Sequence, residues 1–357
     1  MQNNQTNHFI KDIHILNEQL IAESDQAVTL IVGDSTSANI SAFTVDNPYK
    51  MDKITIFSIP DYTEARLLPV KSLNSVRNIV KAIRNSLLNT YYSFSKSQKF
   101  NTAVCDLRNI EPNNMAHLVI HAIPLCLLVR NSAGSDTQFL FKKMGSPFEK
   151  LLNEFGIRPI TSNKKIEATF IKVFATRHAA GNNIQLAGHN FVEATNCLHS
   201  AVLPNTYDSY RFKSPLKNKH KIFIARRGAR ALINHNEVNQ LLNAHGYETV
   251  FMEDYSISEQ LGIASEATHV VGVHGASMGM LVLNKQIESL IEILPPSAYN
   301  DYFAVALAGC VKNHIQVIPS FDTRVIFNGW SAVEHFKNQP FSIHLDQLQL
   351  ALDKVSI

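Results

Sequence analysis

The sequence predicts an α/β protein built on a parallel sheet, and three observations carry that expectation. Apolar, β-branched runs recur at Lys221–Ala225, Tyr247–Met252, Thr268–Val273, Ser289–Leu294 and His314–Pro319. Segments with helical apolar spacing lie between them, which is the alternation of βαβ units. Two of the runs end in residues unlike their interiors. Arg226, Arg227 and Arg230 follow the first, and His274-Gly275-Ala276 closes the third. In a parallel sheet those ends share one edge, the edge where ligands bind.

Each element has its local reason. In the first half, Lys53–Ile59, Ala103–Leu107, Thr137–Phe141 and Ala168–Phe174 read as strands, and Leu73, Val76, Val80, Ile83 and Leu87 keep a helical period. Asn114 to Val129 reads as a buried helix kinked at Pro124. Pro147 to Phe155 is helical, with Gly156 as its stop. Lys213 to His220 is polar and basic with one proline, and is the expected linker between the halves. Beyond it, Asn234 and Glu237 have the spacing of a capping box, and Ile233 with Val238 forms the staple around it. Val238, Leu241 and Leu242 share a face of that helix, and Gly246 ends it. Ser256 and Glu259 repeat the capping spacing. A short helix is expected from near Ser277 and another near Leu345–Val355, while Tyr302 to Cys310 is small and apolar and would pack on the sheet.

Composition sets bounds. A chain of 357 residues with 45% hydrophobic and 18% charged residues is ordinary globular material, in two domains or one large one. A net charge of +3 gives no case for a nucleic-acid partner. Cys105, Cys126, Cys197 and Cys310 form neither a zinc pattern nor a dense disulfide framework, so a reducing compartment is expected. The first residues are polar and lack an apolar signal core. The apolar stretch Leu118 to Val129 is shorter than the roughly 20 residues a spanning helix needs. A soluble chain follows, with peripheral docking on a membrane left open.

The residues that could carry chemistry fall into four groups. Guanidinium groups of Arg226, Arg227 and Arg230 can clamp phosphate oxygens; the plain alternative is a solvated basic loop. The strand before them lacks the G-x-G-x-x-G fingerprint, which argues against a nicotinamide oxidoreductase. The His274-Gly275-Ala276 turn lets a ligand approach the backbone, and amides of a helix starting near Ser277 would face it. Glu292 stands inside an apolar strand, where either ribose hydroxyls or a salt bridge would justify it. His117 and His121 are one helical turn apart behind Asn113 and Asn114. His117 is the candidate general base, with Asp208 and Glu111 in reserve.

Taken in order, these residues resemble glycosyltransferase family 61, which includes bacterial capsule and lipopolysaccharide enzymes, plant xylan transferases and eukaryotic protein O-linked GlcNAc transferases. The matching segments are Asn114 to His117 with Pro124; Arg226, Arg227 and Arg230 with Asn234; Gln260; His274 to Ala276; and Ile291-Glu292-Ile293 with Pro295. The resemblance implies two Rossmann-like domains facing across a cleft, the GT-B arrangement. The expected division is an N-terminal acceptor domain over 1–212 with its first 50 or so residues peripheral, a linker over 213–220, a nucleotide-sugar domain over 221–325, and a helical tail over 326–357 able to pack back on the N-terminal domain.

It further implies an inverting hexosyl- or pentosyltransferase that needs no metal or other cofactor. The donor would be a nucleotide-diphosphate sugar, with UDP-sugars favoured, and the acceptor a glycan or lipid-linked glycan of capsule or lipopolysaccharide synthesis. The implied setting is the cytoplasm or the inner face of the cytoplasmic membrane. Arg226, Arg227, Arg230, Asn234, Gln260, His274, Gly275, Ala276 and Glu292 would hold the donor nucleotide, with Arg226 and Arg230 stabilising the leaving group. Asn114, His121 and Asp208 would lie on the acceptor side, and His117 would take the acceptor's proton. The chain departs from the family pattern at His235, at Ser277 to Met280 and at His121. Those departures keep an alternative open: a catalytically inactive member serving as a nucleotide- or glycan-binding scaffold.

Overall fold

A computed structural model describes residues 14–20, 28–34, 40–45, 53–66, 97–108, 112–133, 135–162, 164–178, 207–217, 220–296, 302–307, 310–321 and 339–355, with 83, 87 and 110. Most of the helix expected over Leu73 to Leu87 lies outside these residues, as does Glu111. The chain forms two compact units, Met1–Leu20 with Lys53–Leu198, and Ile21–Asp52 with His199–Ile357. Strands β1 (His14–Leu20) and β4 (Lys53–Arg66) belong to the first unit; β2 (Val28–Asp34) and β3 (Ile40–Val45) belong to the second.

The first unit continues with β5 (Gln98–Asp106), β6 (Gln138–Phe141), β7 (Pro159–Thr161) and β8 (Ile166–His178), in the sheet order β1-β4-β8-β5-β6-β7. Strands β8, β5, β6 and β7 are mutually parallel, around a core of Val104, Leu140, Ile166 and Ala168. Strand β4 is antiparallel to β8, and β1 to β4. The sheet is therefore mixed rather than wholly Rossmann-like. The long β8 meets β5 on one edge, and β4 satisfies the backbone groups of the other along most of its length.

After β5 the chain enters α1 (Met115–His117), a π-helical turn over Leu118–Ala122, and α2 (Ile123–Ala133). The expected kink at Pro124 takes this form. Proline has no N–H to return to Ile120, and Ile123 donates to Leu118 in the wider register. Helix α3 (Ser146–Glu154) stops at Gly156, whose φ of +67° suits glycine.

The second unit carries β9 (Lys221–Ile224), α4 (His235–Ala244), β10 (Glu248–Val250), α5 (Ile257–Glu266), β11 (His269–Val273), β12 (Ile287–Ile293), α6 (Tyr302–Ala306), β13 (Val311–Phe321) and α7 (Leu345–Val355). Its sheet order is β10-β9-β11-β12-β13-β2-β3, parallel from β10 through β2, with β3 antiparallel at the edge. From β9 the chain adds β10 on one side and then returns to add β11 on the other. Growth of the sheet thus reverses between β9 and β11, and in open parallel sheets ligands bind beyond the carboxyl ends of strands at such a reversal. Phe223, Val271, Ile291 and Ile315 from the strands pack with Val238 and Leu242 of α4. No helix among the described residues is long and apolar enough to cross a membrane.

Four expectations need correction here. Part of the supposedly peripheral N-terminal segment, β2 and β3, completes the second sheet by covering the edge of β13. The supposed linker is not free: Leu216 is buried, and the Lys213 carbonyl lies where a Cβ on Gly262 would fall. Residues 341–352 of the tail pack on the second sheet, because Phe341, Ile343, Leu348, Ala351 and Leu352 join its core. Asn234 does not cap α4. Its amide donates to the Ile343 carbonyl at 2.8 Å and accepts from the Ile343 N–H at 3.2 Å, while Ile233 is 70% exposed and forms no staple. The box at Ser256 and Glu259 does form, with both its bonds made.

Gly262→Ala should cost about 1–3 kcal/mol, the scale of overpacking, because the obstacle is backbone rather than a movable side chain. The check is the urea midpoint of the full chain at constant m-value.

Candidate functional site

The loop after β9 stands at the reversal point. Two residues in left-handed conformation shape it, Gly228 at φ +68° and Arg230 at φ +64°. Glycine tolerates that region; a side chain there costs about 1–2 kcal/mol. This turn brings Arg226 and Arg230 to a common acceptor. Arg226 Nη1 donates to the His274 carbonyl at 2.9 Å, and Arg230 Nη1 donates to the same oxygen at 3.0 Å. A Cβ on Gly275 would overlap the Arg226 guanidinium, so the glycine is required by the arginine's close approach.

Two cations on one carbonyl repel each other. Burial pushes Arg230 down, the charge of Arg226 adds to the fall, and together they bring it to about 10. Burial also lowers Arg226, partly offset by the Glu253 carboxylate. Both groups would gain from an anion placed beside them.

Beneath this edge lies a polar cluster inside the sheet. Gly272, Glu292 and Gln316 stand side by side on β11, β12 and β13. His274 and His314 lie two residues along their chains, on the same face. Glu292 is 0% exposed. One carboxylate oxygen accepts from His274 Nδ1 at 2.5 Å; the other accepts from His314 Nε2 at 3.0 Å and Gln316 Nε2 at 2.9 Å. Burial alone would raise the Glu292 carboxyl, but the His274 and His314 donors and charges outweigh it and hold it at about 2. Of the two alternatives for Glu292, the buried ionic cluster is the one present; its oxygens serve the histidines and Gln316, not a ribose.

The remaining candidates divide. Arg227 is turned away, bidentate on Asp254 at 2.6 and 2.7 Å and stacked over Phe251 at 4.0 Å. Asn234 is engaged with the tail. The Gln260 amide donates to the Tyr255 carbonyl at 2.9 Å, inside its own helix-capping loop. Ala276 opens a 3-10 helix, Ala276–Leu283, where a short helix is expected.

In the first unit, the Asn114 side chain caps α1 by accepting from the Ala116 and His117 N–H groups. His117 is half-buried where the chain leaves β5, with the buried His121 ring edge-on at 5.6 Å. Asp208, expected on the acceptor side, belongs to the second unit and pairs with Lys285 at 2.6 Å. The structure thus brings together Arg226, Arg230, His274, Gly275 and Glu292, and separates Arg227, Asn234, Gln260 and Asp208 from them.

Sequence reasoning missed His314 and Gln316. Their signal was available: polar residues two apart in an otherwise apolar run, one strand from Glu292. It also missed Arg108, 1% exposed, which grips Asp106 at 2.9 and 2.7 Å and the Lys164 carbonyl at 2.9 Å just past β5.

The Glu292 carboxyl falls from 4.5 to about 2 on folding, so its charge stabilises the fold fully above pH 4.5 and ceases to do so as pH drops through about 2. The expected contribution is about 3 kcal/mol. Urea midpoints of wild type and Glu292→Gln followed from pH 6 to about 2 should converge as the acid range is crossed; parallel curves would remove the assignment.

Residues 115–285 match the Glycosyltransferase 61 family. No curated protein matches the chain. Among solved structures, the dodecameric iron-containing heptosyltransferase TibC in complex with ADP-D-beta-D-heptose is 11% identical with a TM-score of 0.33, over 80% of this chain and 78% of that one. TibC from enterotoxigenic E.coli H10407 is 10% identical with a TM-score of 0.39, over 94% of each chain. Similarity that loose carries no argument about this protein. The family match does, because it spans α1, the Arg226–Arg230 loop and the His274 turn: from residue 115 to residue 285 this chain is similar to glycosyltransferase family 61.

Proposed function

We propose that the chain is an inverting glycosyltransferase that moves a sugar from a nucleotide-diphosphate donor, UDP-sugars being favoured, to a glycan or lipid-linked glycan. The observation that supports this reading is the convergence of Arg226 and Arg230 on the His274 carbonyl at the reversal point of the second sheet. The acceptor hydroxyl oxygen attacks the anomeric carbon. The bond from that carbon to the phosphate oxygen breaks, and its electron pair goes to the diphosphate. Arg226 and Arg230 meet that growing charge with donors already fixed in place, the form of stabilisation that counts most where water is excluded. With two guanidiniums in that role, no metal is needed to carry the leaving group. His117 accepts the hydroxyl proton. Synthesis of a bacterial surface polysaccharide, on the inner side of the cytoplasmic membrane, is the setting this chemistry fits.

Binding of UDP, ADP and GDP, measured by calorimetry with and without chelator, tests the site. Arg226→Ala should weaken the bound nucleotide by about 1.5–3 kcal/mol, the worth of a charge-assisted hydrogen bond. Arg230→Gly should lose a similar amount of affinity while keeping or gaining about 1 kcal/mol of stability, because glycine relieves the left-handed residue. Unchanged affinity in both variants removes the arginines from the site. Loss of binding with chelator overturns metal independence.

His117→Gln should lower kcat by about 10²–10⁴ with nucleotide affinity unchanged. The readout is turnover on a panel of UDP-, GDP- and CMP-sugars. Tight nucleotide binding with no turnover of any of them by the wild type would make the chain a scaffold.

A further inference from the structure

His274 uses its amide, its carbonyl and one ring nitrogen at once. Its N–H donates to the Ile293 carbonyl at 2.9 Å, its carbonyl takes both guanidiniums, and its ring is held by Glu292 at 2.5 Å. An ionised carboxylate only accepts, so the Nδ1 atom facing it carries the proton. We infer that Glu292 is a positioning residue: acting through His274, it fixes the imidazole with its proton on Nδ1 and so holds the turn whose carbonyl seats Arg226 and Arg230. The inference rests on the reading proposed above for its place in the reaction, and on geometry alone for the coupling.

The cluster is costly as a purely structural device. A carboxylate taken wholly out of water loses several kcal/mol of solvation, and apolar residues of like volume would pack the sheet as well or better. Here the charge is retained, and two donors on β13, His314 and Gln316, converge on the oxygen that faces away from His274. They fix the carboxylate from behind, leaving its other oxygen for His274, whose carbonyl accepts from both arginines. Gly272, beside Glu292 on the neighbouring strand, contributes no side chain to crowd the cluster; Met278 covers that position. Phe303 packs against the His274 ring at 5.1 Å and limits its rotation. Displacing the ring therefore displaces the carbonyl, and with it the two guanidiniums.

The test is nuclear magnetic resonance of the ligand-free full chain, following the His274 Nδ1 proton and the Nε–H signals of Arg226 and Arg230. Single His274→Gln, Arg226→Lys and Arg230→Lys spectra serve only to assign them. The wild type should show a strongly deshielded Nδ1 proton. In Glu292→Gln that proton should move upfield, both arginine signals should shift, and affinity for UDP should fall about tenfold, the loss of roughly one charge-assisted contact. Should Glu292→Gln fail to fold, Gln316→Leu weakens the same carboxylate from behind and should shift the same arginine signals less. Arginine signals that stay in place in every folded variant overturn the inference and leave Glu292 a structural group. If the wild type binds none of UDP, ADP and GDP, the functional reading fails instead, while the ligand-free spectra still decide the coupling.

Discussion

One buried negative charge organises the second unit. Glu292 has no water to solvate it, and a carboxylate in that position survives only if donors reach it from several sides. They come from both neighbouring strands: His274 beyond the end of β11, and His314 and Gln316 on β13. The parallel register that sets Gly272, Glu292 and Gln316 in a row is what makes this possible. A slip of one residue in any of the three strands would turn a donor or the acid to the other face. The polar cluster and the arrangement of the sheet are thus one constraint seen twice.

The arginine pair shows the complementary problem at the surface. Two half-buried guanidiniums on one carbonyl are electrostatically unfavourable, and one of them sits in a backbone region that side chains avoid. Strain and like-charge crowding are thus gathered at the reversal point of the sheet, the pattern that functional sites often show. The rest of the unit is ordinary by comparison, with an apolar core, a completed capping box and glycine helix stops.

What could be read from the sequence follows from the range of the interactions involved. The strands of the second half, the Ser256 box and the stop at Gly246 are local, and their residues announce them. The gathering of Arg226, Arg230, His274 and Gly275 at one sheet edge was legible because small and charged residues at strand ends are conspicuous. Asn234 was misread because its partner, Ile343, lies far away along the chain; at short range Asn234 and Glu237 look like a cap. Arg227 has the same composition and the same loop as its neighbours. Only the position of Asp254, brought in from beyond β10, takes it away from them. The role of β2 could not be read from its own residues, since it depends on the edge left open by β13.

The second unit is closed by segments far apart in the chain. Strands β2 and β3 come from residues 28–45, and the loop bearing the arginines gains its partner from residues 341–343, through the Leu232–Phe341 bridge and the clasp of Asn234 on Ile343. During synthesis β9 is made long before Phe341, so the loop waits with unpaired backbone until that segment arrives. The order of translation therefore leaves the arginine loop for last: a nascent chain can hold most of its sheet before that loop gains its backbone partner.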